Sequence, residues 1–249
     1  MAIQNYNLIV VLGATASGKT RLGVELAKQL DGEIISADSR QVYTGLDIGT
    51  GKDLDEYGAI SHHLIDIIDP GLEYNACQFQ HDFFTAFKAI QARDKTSLLV
   101  GGSGLYIDAV VSGYEFVQVK KNTAQRALFA QQPLAEVQQL LLNLDSELYQ
   151  KTDVQVRPRL YRAIEIAQYY AQASPESSAN SVPALPAVLP VFFAIKWDRS
   201  VLRQRISLRL QQRFEQGMIA EVEGLLEQGM THEKLDYLGL EYRDRKSVV

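Results

Sequence analysis

The residues most able to do chemistry form a glycine-rich segment near the start of the chain. The segment matches the P-loop pattern Gly-x-x-x-x-Gly-Lys-Ser/Thr and consists of Gly13, Ala14, Thr15, Ala16, Ser17, Gly18, Lys19 and Thr20. Glycines let backbone amides turn inward around a phosphate, and the amino end of a following helix adds partial positive charge. Lys19 supplies a full charge, and the Thr20 hydroxyl can hold magnesium. The segment therefore predicts a phosphate site with magnesium as cofactor.

Nucleotide hydrolysis is not the favoured use of this loop. A hydrolase would normally carry an aspartate at the end of an apolar strand to hold magnesium. The strand predicted at 96–100 instead runs into Gly101, Gly102 and Ser103. Asp66 and Asp69 are weak substitutes, because both are more simply interpreted as loop carboxylates beside a buried segment.

Asp38 is the candidate base. It follows the predicted strand 33–36, which we expect to neighbour the strand 8–12 that precedes the P-loop. Open α/β sheets bind ligands at the carboxyl ends of their strands. A carboxylate beside a phosphate site can take a proton from an attacking nucleophile. A turn or helix-cap role would fit the isolated residue equally well.

Several further blocks resemble the tRNA dimethylallyltransferase family. Together with the P-loop they run from about residue 8 to 243 in the family's order. They are Ser36–Tyr43, Gly45–Thr50, His62–Asp66, Gly101–Tyr106, Arg162–Glu165 and the spacing Leu202-x-x-Arg205-Ile206-x-x-x-Arg209. In combination these blocks are far more specific than the P-loop alone.

The resemblance implies transfer of a dimethylallyl group from its diphosphate to the exocyclic amine of an adenine next to the tRNA anticodon. The P-loop would then bind the prenyl diphosphate, and the Thr20 hydroxyl would coordinate magnesium. The resemblance implies that Asp38 is the general base and that Thr15 holds the reacting geometry. It also implies that Arg209 neutralises the departing pyrophosphate.

Contacts with the tRNA anticodon stem-loop follow from the same resemblance. The residues implied are Asp38, Ser39, Arg40, Gln41, Ser103, Arg159 and Arg162. Ser103 stands where the family more often has threonine and would line the adenine channel. A solvated helix face explains the arginines around 157–162 almost as well. Two departures from the family pattern are Ser207, in place of an acidic residue, and the segment 152–158.

The element pattern predicts an α/β fold of P-loop NTPase-like type, a parallel sheet wound with helices. The helices predicted at 134–144 and 160–170 indicate a mostly helical insertion domain at 115–190 that contacts tRNA. The segment 173–190 within it is rich in proline, serine and alanine and predicts a loop. The core domain would be discontinuous, comprising residues 1–114 and 191–249.

The segment 199–215 carries an apolar stripe beside an arginine stripe at helical spacing. The apolar stripe is Leu202, Ile206, Leu210 and Phe214, and the other is Arg205, Arg209 and Arg213. The pattern is typical of an ordinary amphipathic surface helix. With a phosphate site in the same chain, we favour a helix that directs arginines at that site.

Composition limits the remaining possibilities. Cys77 is the only cysteine, which excludes an internal disulfide and a zinc cluster of paired cysteines. No apolar stretch reaches membrane-span length and no signal peptide is recognisable, so we expect a cytoplasmic protein, as a monomer. The net charge of −5 is uneven, with −6 in residues 1–110 and +1 in 111–249, which is compatible with local docking of RNA.

Three alternatives stay open at this point. An adenylate prenyltransferase acting on free AMP or ATP would share the loop, the aspartate and the fold. A small-molecule kinase would also use a P-loop, and a non-catalytic tRNA-binding protein is the third possibility. Family members usually continue beyond Gly239–Arg243, so the resemblance also predicts a short chain with an open adenine channel and crippled catalysis.

Overall fold

The structure, a computed structural model, describes residues 6–114, 116, 119–172, 185–239 and 242. The chain divides into two compact units, one formed by residues 1–114 and 186–249 and the other by 115–185. Residues 173–184 of the predicted loop lie outside the described residues. Pro190, at the end of that prediction, already belongs to a strand.

A five-stranded parallel sheet forms the centre of the first unit. The strands are β1 (Leu8–Gly13), β2 (Gly32–Ala37), β3 (His62–His63), β4 (Thr96–Gly101) and β5 (Pro190–Ile195). Their order across the sheet is β3-β2-β4-β1-β5. In the central register Val10 pairs with Leu99 on one side and Phe192 on the other. The predicted α/β fold with a parallel sheet is confirmed.

The expectation that β2 neighbours β1 is wrong, because β4 lies between them. The helix that connects β1 to β2, Lys19–Gln29, packs against β1, β2 and β4. An α-helix is about 10 Å wide and strands are about 4.8 Å apart, so one helix can straddle an intervening strand. The strand that leads to Asp38 is therefore two positions away from the strand that leads to the glycine-rich segment.

Helices surround the sheet and build the second unit. In the described residues they are α1 (Lys19–Gln29), α2 (Ala76–Gln91), α3 (Gly104–Val111), α4 (Thr123–Gln131), α5 (Leu134–Leu144), α6 (Ser146–Lys151), α7 (Arg157–Gln172), α8 (Arg199–Glu215), α9 (Met218–Glu227) and α10 (His232–Leu238). A 3₁₀ turn covers Leu54–Glu56. Val24 of α1 is buried against Ile9, Val11 and Val100 of the sheet. These contacts fix the start of α1 relative to the strand ends.

The second unit has a core of its own, formed by α4, α5 and α7. The predicted helix 134–144 is α5, whereas α7 begins earlier than the predicted residue 160, at Arg157. Pro158 is its second residue, where a missing N–H removes no helical bond. Glu165 lies buried in α7 and accepts two hydrogen bonds from Arg126, at 2.7 and 2.8 Å. Burial opposes its charge, but the bonds from Arg126 and from the Asn122 amide hold the pKa of Glu165 below its ordinary value.

Candidate active site

Residues 13–20, here called the 13–20 loop, comprise the last residue of β1, the connecting residues 14–18 and the first two residues of α1. Ala16 and Gly18 have positive φ angles, 57° and 94°. Left-handed residues in such a turn bring successive backbone amides to one concave side, which is a fitting surface for an anion. Gly18 directly precedes α1, so the positive end of that helix faces the same place. The phosphate site stays a prediction, which this geometry accommodates.

Lys19 marks the centre of the site. Its Nζ donates to the Ala14 carbonyl at 2.7 Å, so the side chain lies folded over the loop. Burial lowers the pKa of Lys19, the Asp38 carboxylate raises it and the Arg209 guanidinium lowers it. Asp38 and Arg209 are therefore both close enough to act on the lysine charge. The three side chains come from the residue after β2, the start of α1 and α8.

Asp38 and Ser103 lie at the carboxyl ends of the neighbouring strands β2 and β4. The Ser39 amide donates to Ser103 Oγ at 2.9 Å, and the Ser103 amide donates to the Ala37 carbonyl at 3.1 Å. Asp38 accepts the Arg40 amide at 2.9 Å through one carboxylate oxygen. These bonds fix the backbone on both sides of Asp38, so its carboxylate has a defined position beside the loop.

Arginines of helix α8 bind the loop segment 49–53. Arg209 donates to the Gly51 carbonyl at 3.2 Å and forms an ion pair with Asp53. Arg213 is only 6% exposed and donates to the Gly49 carbonyl at 2.9 Å. In the apolar stripe, by contrast, Ile206, Leu210 and Phe214 are 37–40% exposed. The carbonyls of Gly49 and Gly51 and the Asp53 carboxylate accept hydrogen bonds from the arginine stripe, which the apolar stripe cannot donate.

Glu221 of α9 holds the segment that presents these carbonyls. Its carboxylate accepts the amides of Asp47, Ile48 and Gly49 at 2.9, 2.7 and 3.0 Å, and the Tyr242 hydroxyl at 2.7 Å. A carboxylate that accepts several such bonds is strongly fixed. Glu221 thus anchors the backbone that binds Arg209 and Arg213.

The buried Lys52 side chain binds the same segment, which begins at Asp47. This side chain is 1% exposed and forms ion pairs with Asp47, at 2.5 Å, and with Asp66. Asp69 accepts the Gly71 amide at 2.6 Å. Asp66 and Asp69 therefore act as loop carboxylates in the described structure, which is the simpler of the two interpretations open to the sequence.

Tyr57 is a residue of the site that sequence reasoning missed. Burial together with the carboxylates of Glu56, Asp38 and Asp53 raises the pKa of Tyr57, and hydrogen bonding to Thr20 opposes that rise. The phenol therefore stays neutral and keeps its proton near neutral pH. A tyrosine in a loop carries no spacing signal, so the sequence offered no means of finding it.

The predicted tRNA-binding residues fall into different environments. Gln41 is 8% exposed, and its amide joins Ser36 Oγ, at 3.0 Å, to the Gly51 carbonyl, also at 3.0 Å. The Arg40 guanidinium lies over the Tyr237 ring, 5.6 Å from its centre. Gln41 thus has a structural contact in the described residues, while Arg40 remains partly exposed.

Arg159 and Arg162 belong to the second unit and also differ from each other. Arg159 is 66% exposed and pairs with Asp153 at 3.1 Å. Arg162 donates to the Val119 carbonyl at 2.7 Å and lies 3.3 Å from the buried Glu165. Arg159 is the freer of the two for contact with a phosphate, and both tRNA assignments stay predictions.

Magnesium can be tested against the residues present. The described part of the chain contains no group of three or more His, Cys, Asp or Glu residues arranged to hold a metal. Magnesium often takes few protein ligands and keeps several waters beside substrate phosphates. The partly exposed Thr20 hydroxyl at the start of α1 fits that role. Magnesium stays a prediction that the donor set accommodates.

Comparison with known proteins decides the family. A family model described as IPP transferase matches residues 41–247, and one described as isopentenyl transferase matches residues 6–68. A protein of Shewanella sediminis named tRNA dimethylallyltransferase 2 is 64% identical over 241 residues, which are 97% of this chain and 78% of the relative. The chain belongs to the tRNA dimethylallyltransferase family. A relative named tRNA dimethylallyltransferase 1 from Geotalea daltonii is 50% identical over 96% of this chain and 75% of its own length.

Solved structures of dimethylallyltransferases share the fold. The tRNA isopentenylpyrophosphate transferase of Bacillus halodurans is 32% identical, with a TM-score of 0.61 over 90% of this chain and 71% of that one. A eukaryotic dimethylallyltransferase described as acting on tRNA is 26% identical, with a TM-score of 0.77 over 93% of this chain and 60% of that one. The likeness covers both the sheet and the helical second unit, because it spans nearly the whole chain.

None of the helices that the structure describes is both long and apolar enough to cross a membrane.

Proposed function

We infer that this chain transfers a dimethylallyl group from dimethylallyl diphosphate to the exocyclic amine of an adenine beside the tRNA anticodon, and releases pyrophosphate. The observation that carries the inference is Lys19, whose Nζ binds the Ala14 carbonyl of the 13–20 loop and whose pKa is influenced by the charges of both Asp38 and Arg209. One carboxylate and two cations around an amide-lined loop suit a reaction that removes a proton and expels a diphosphate. The names of the relatives support the same substrates.

The chemical step requires one bond to form and one to break. The amine nitrogen bonds to the first carbon of the prenyl group while the bond from that carbon to the diphosphate oxygen breaks. Asp38 takes the amine proton, acting as a general base. The charge that develops on the leaving diphosphate meets the loop amides, Lys19 and Arg209. Thr15, exposed at the rim of the loop, would help to hold the reacting ends in place.

Magnesium would be held by Thr20 and would supply positive charge to the diphosphate oxygens. We also expect a monomer in the cytoplasm, where tRNA is found. The adenine channel would include Ser103, whose hydroxyl is bound to the Ser39 amide next to Asp38.

One experiment tests the function against its alternatives. The protein is incubated with labelled dimethylallyl diphosphate together with an anticodon stem-loop, AMP or ATP as acceptor. Label in the stem-loop alone is the expected result. Label in AMP or ATP would identify an adenylate prenyltransferase. ATP turnover without prenyl transfer would identify a kinase-type activity and overturn the proposal.

Binding of the anticodon stem-loop should weaken with salt, despite the net charge of −5. Each phosphate contact contributes roughly 0.9 to the slope of log affinity against log salt. Arg159→Glu should therefore lower that slope by about one, measured by titration at several salt concentrations. Arg162→Glu is a poorer probe, because a new carboxylate beside Glu165 would disturb the fold.

The matched control is Lys151→Glu, which reverses an exposed charge elsewhere in the second unit. It should leave the slope unchanged. An affinity independent of salt, or equal effects of both reversals, would count against docking of RNA through Arg159.

A further inference from the structure

The outer side of the 13–20 loop is bound by residues that follow β5. Trp197 Nε1 donates to the Ser17 carbonyl at 3.0 Å. Arg205 Nε donates to the Ala16 carbonyl at 2.8 Å. The Arg205 guanidinium also lies over the Trp197 ring, 4.9 Å from its centre. Two consecutive carbonyls of the loop are thus bound by two side chains that contact each other.

These bonds act on the part of the loop with the least favourable backbone. Ala16 has a φ of 57°, a region that residues with a side chain seldom adopt. Such a conformation persists only when the surroundings hold it. The C=O and N–H of one peptide unit point in opposite directions, so the bond from Trp197 to the Ser17 carbonyl also orients the Gly18 amide away from Trp197. Because the guanidinium is charged, its bond is stronger than one between neutral groups.

Arg205 also brings charge near the start of α1. Its Nη2 would lie 3.8 Å from a Cβ atom built on Gly18. Gly18 is the residue that precedes the helix and has a φ of 94°. The guanidinium therefore adds positive potential at the place where the helix end and the loop amides already favour an anion.

We propose that Trp197 and Arg205 are positioning residues that hold the 13–20 loop in its anion-binding shape before the diphosphate arrives. The proposal rests on the proposed function for the identity of the diphosphate, but the loop and its two partners are defined by their own contacts. Their removal should weaken binding of a diphosphate more than it slows the chemical step.

The test begins with inorganic pyrophosphate, which needs no prenyl transfer. Trp197 is the chain's only tryptophan, so its fluorescence reports directly on the residue bound to Ser17. Pyrophosphate should change that fluorescence in the unaltered protein. Arg205→Ala should raise the dissociation constant about tenfold, the size expected for losing one charged hydrogen bond. Arg205→Lys keeps the charge and should recover only part of the affinity.

Arg203→Ala is the matched control, because it removes the same charge from an exposed position two residues away on α8. It should leave pyrophosphate affinity within twofold, which is about 0.4 kcal/mol. Trp197→Phe removes the N–H but keeps a ring, and calorimetry should show a smaller loss, about threefold.

Steady-state kinetics separate positioning from a general loss of structure. Arg205→Ala should raise KM for dimethylallyl diphosphate about tenfold while kcat and KM for the stem-loop change less than threefold. A fall in kcat with unchanged KM, or equal losses of pyrophosphate affinity in Arg203→Ala and Arg205→Ala, would overturn the proposal. If pyrophosphate binding depends on Arg205 but no acceptor takes the prenyl label, the proposed function fails and the positioning role stands.

Discussion

Asp38→Ala should lower the single-turnover rate of prenyl transfer by a factor of roughly 100 to 10,000, the range found when a general base is removed. Binding of pyrophosphate should change little. The reason is positional, because Asp38 lies at the end of β2, whereas the 13–20 loop that would hold the phosphates follows β1. Rapid-quench measurement with saturating substrates isolates the step.

Asp38→Asn distinguishes a base from a structural residue. Asparagine can still accept the Arg40 amide as Asp38 does, but it cannot take a proton. The asparagine variant should therefore be as slow as the alanine variant. Asp55→Ala, at an exposed carboxylate of the 3₁₀ turn, controls for loss of a nearby negative charge. A rate above a tenth of that of the unaltered protein in Asp38→Asn would show that Asp38 is not the base.

Lys19→Ala and Arg209→Ala should both impair transfer, but in different kinetic terms. Lys19 lies over the loop itself and should contribute to ground-state binding, so its loss should raise KM for the prenyl diphosphate. Arg209 comes from α8 and is paired with Asp53 before substrate binds. It should act mainly on the charge that develops during bond breaking, and its loss should lower kcat by about 100- to 1,000-fold.

Steady-state kinetics with both substrates varied would measure this division. Arg209→Lys retains the charge but lacks the planar guanidinium with its two parallel donors. Its kcat should therefore lie between that of the Arg209→Ala variant and that of the unaltered protein. Equal losses of kcat/KM that arise wholly from KM in both alanine variants would contradict the division. A dominant ATP hydrolysis activity would also contradict it, because the loop would then bind ATP rather than a prenyl diphosphate.

The sequence predicted the elements better than their arrangement. Apolar runs marked β1 and β4 because both strands are buried on both faces. The strand order could not be predicted, because nothing in the sequence of residues 96–101 shows that this strand lies between β1 and β2 and pairs with both. Periodicity likewise revealed two stripes on α8 but could not show which one faces inward. The acceptors that decide this lie at 49–53, about 160 residues earlier in the chain.

Candidate site residues could be predicted where a local sequence pattern and its chemistry coincide, and not where they do not. The 13–20 loop and Asp38 were recognised from spacing and from their place after apolar strands. Glu221 and Trp197 escaped notice, and Arg205 was recognised only as one member of the arginine stripe. Each acts by binding backbone groups of a distant loop, and such contacts leave no mark on the spacing of neighbouring residues.

The position of β4 sets the separation between the strand that leads to the 13–20 loop and the strand that leads to Asp38. Two strand spacings separate β1 from β2, roughly 10 Å. In the proposed reaction the base, the attacking nitrogen, the carbon and the leaving oxygen lie in line within that separation. The intervening strand ends in Gly101, where a Cβ atom would come within 2.1 Å of the Ala37 carbonyl oxygen. The close approach of β4 to β2 therefore requires glycine at position 101, and the separation of the two strand ends is a property of the backbone rather than of any side chain.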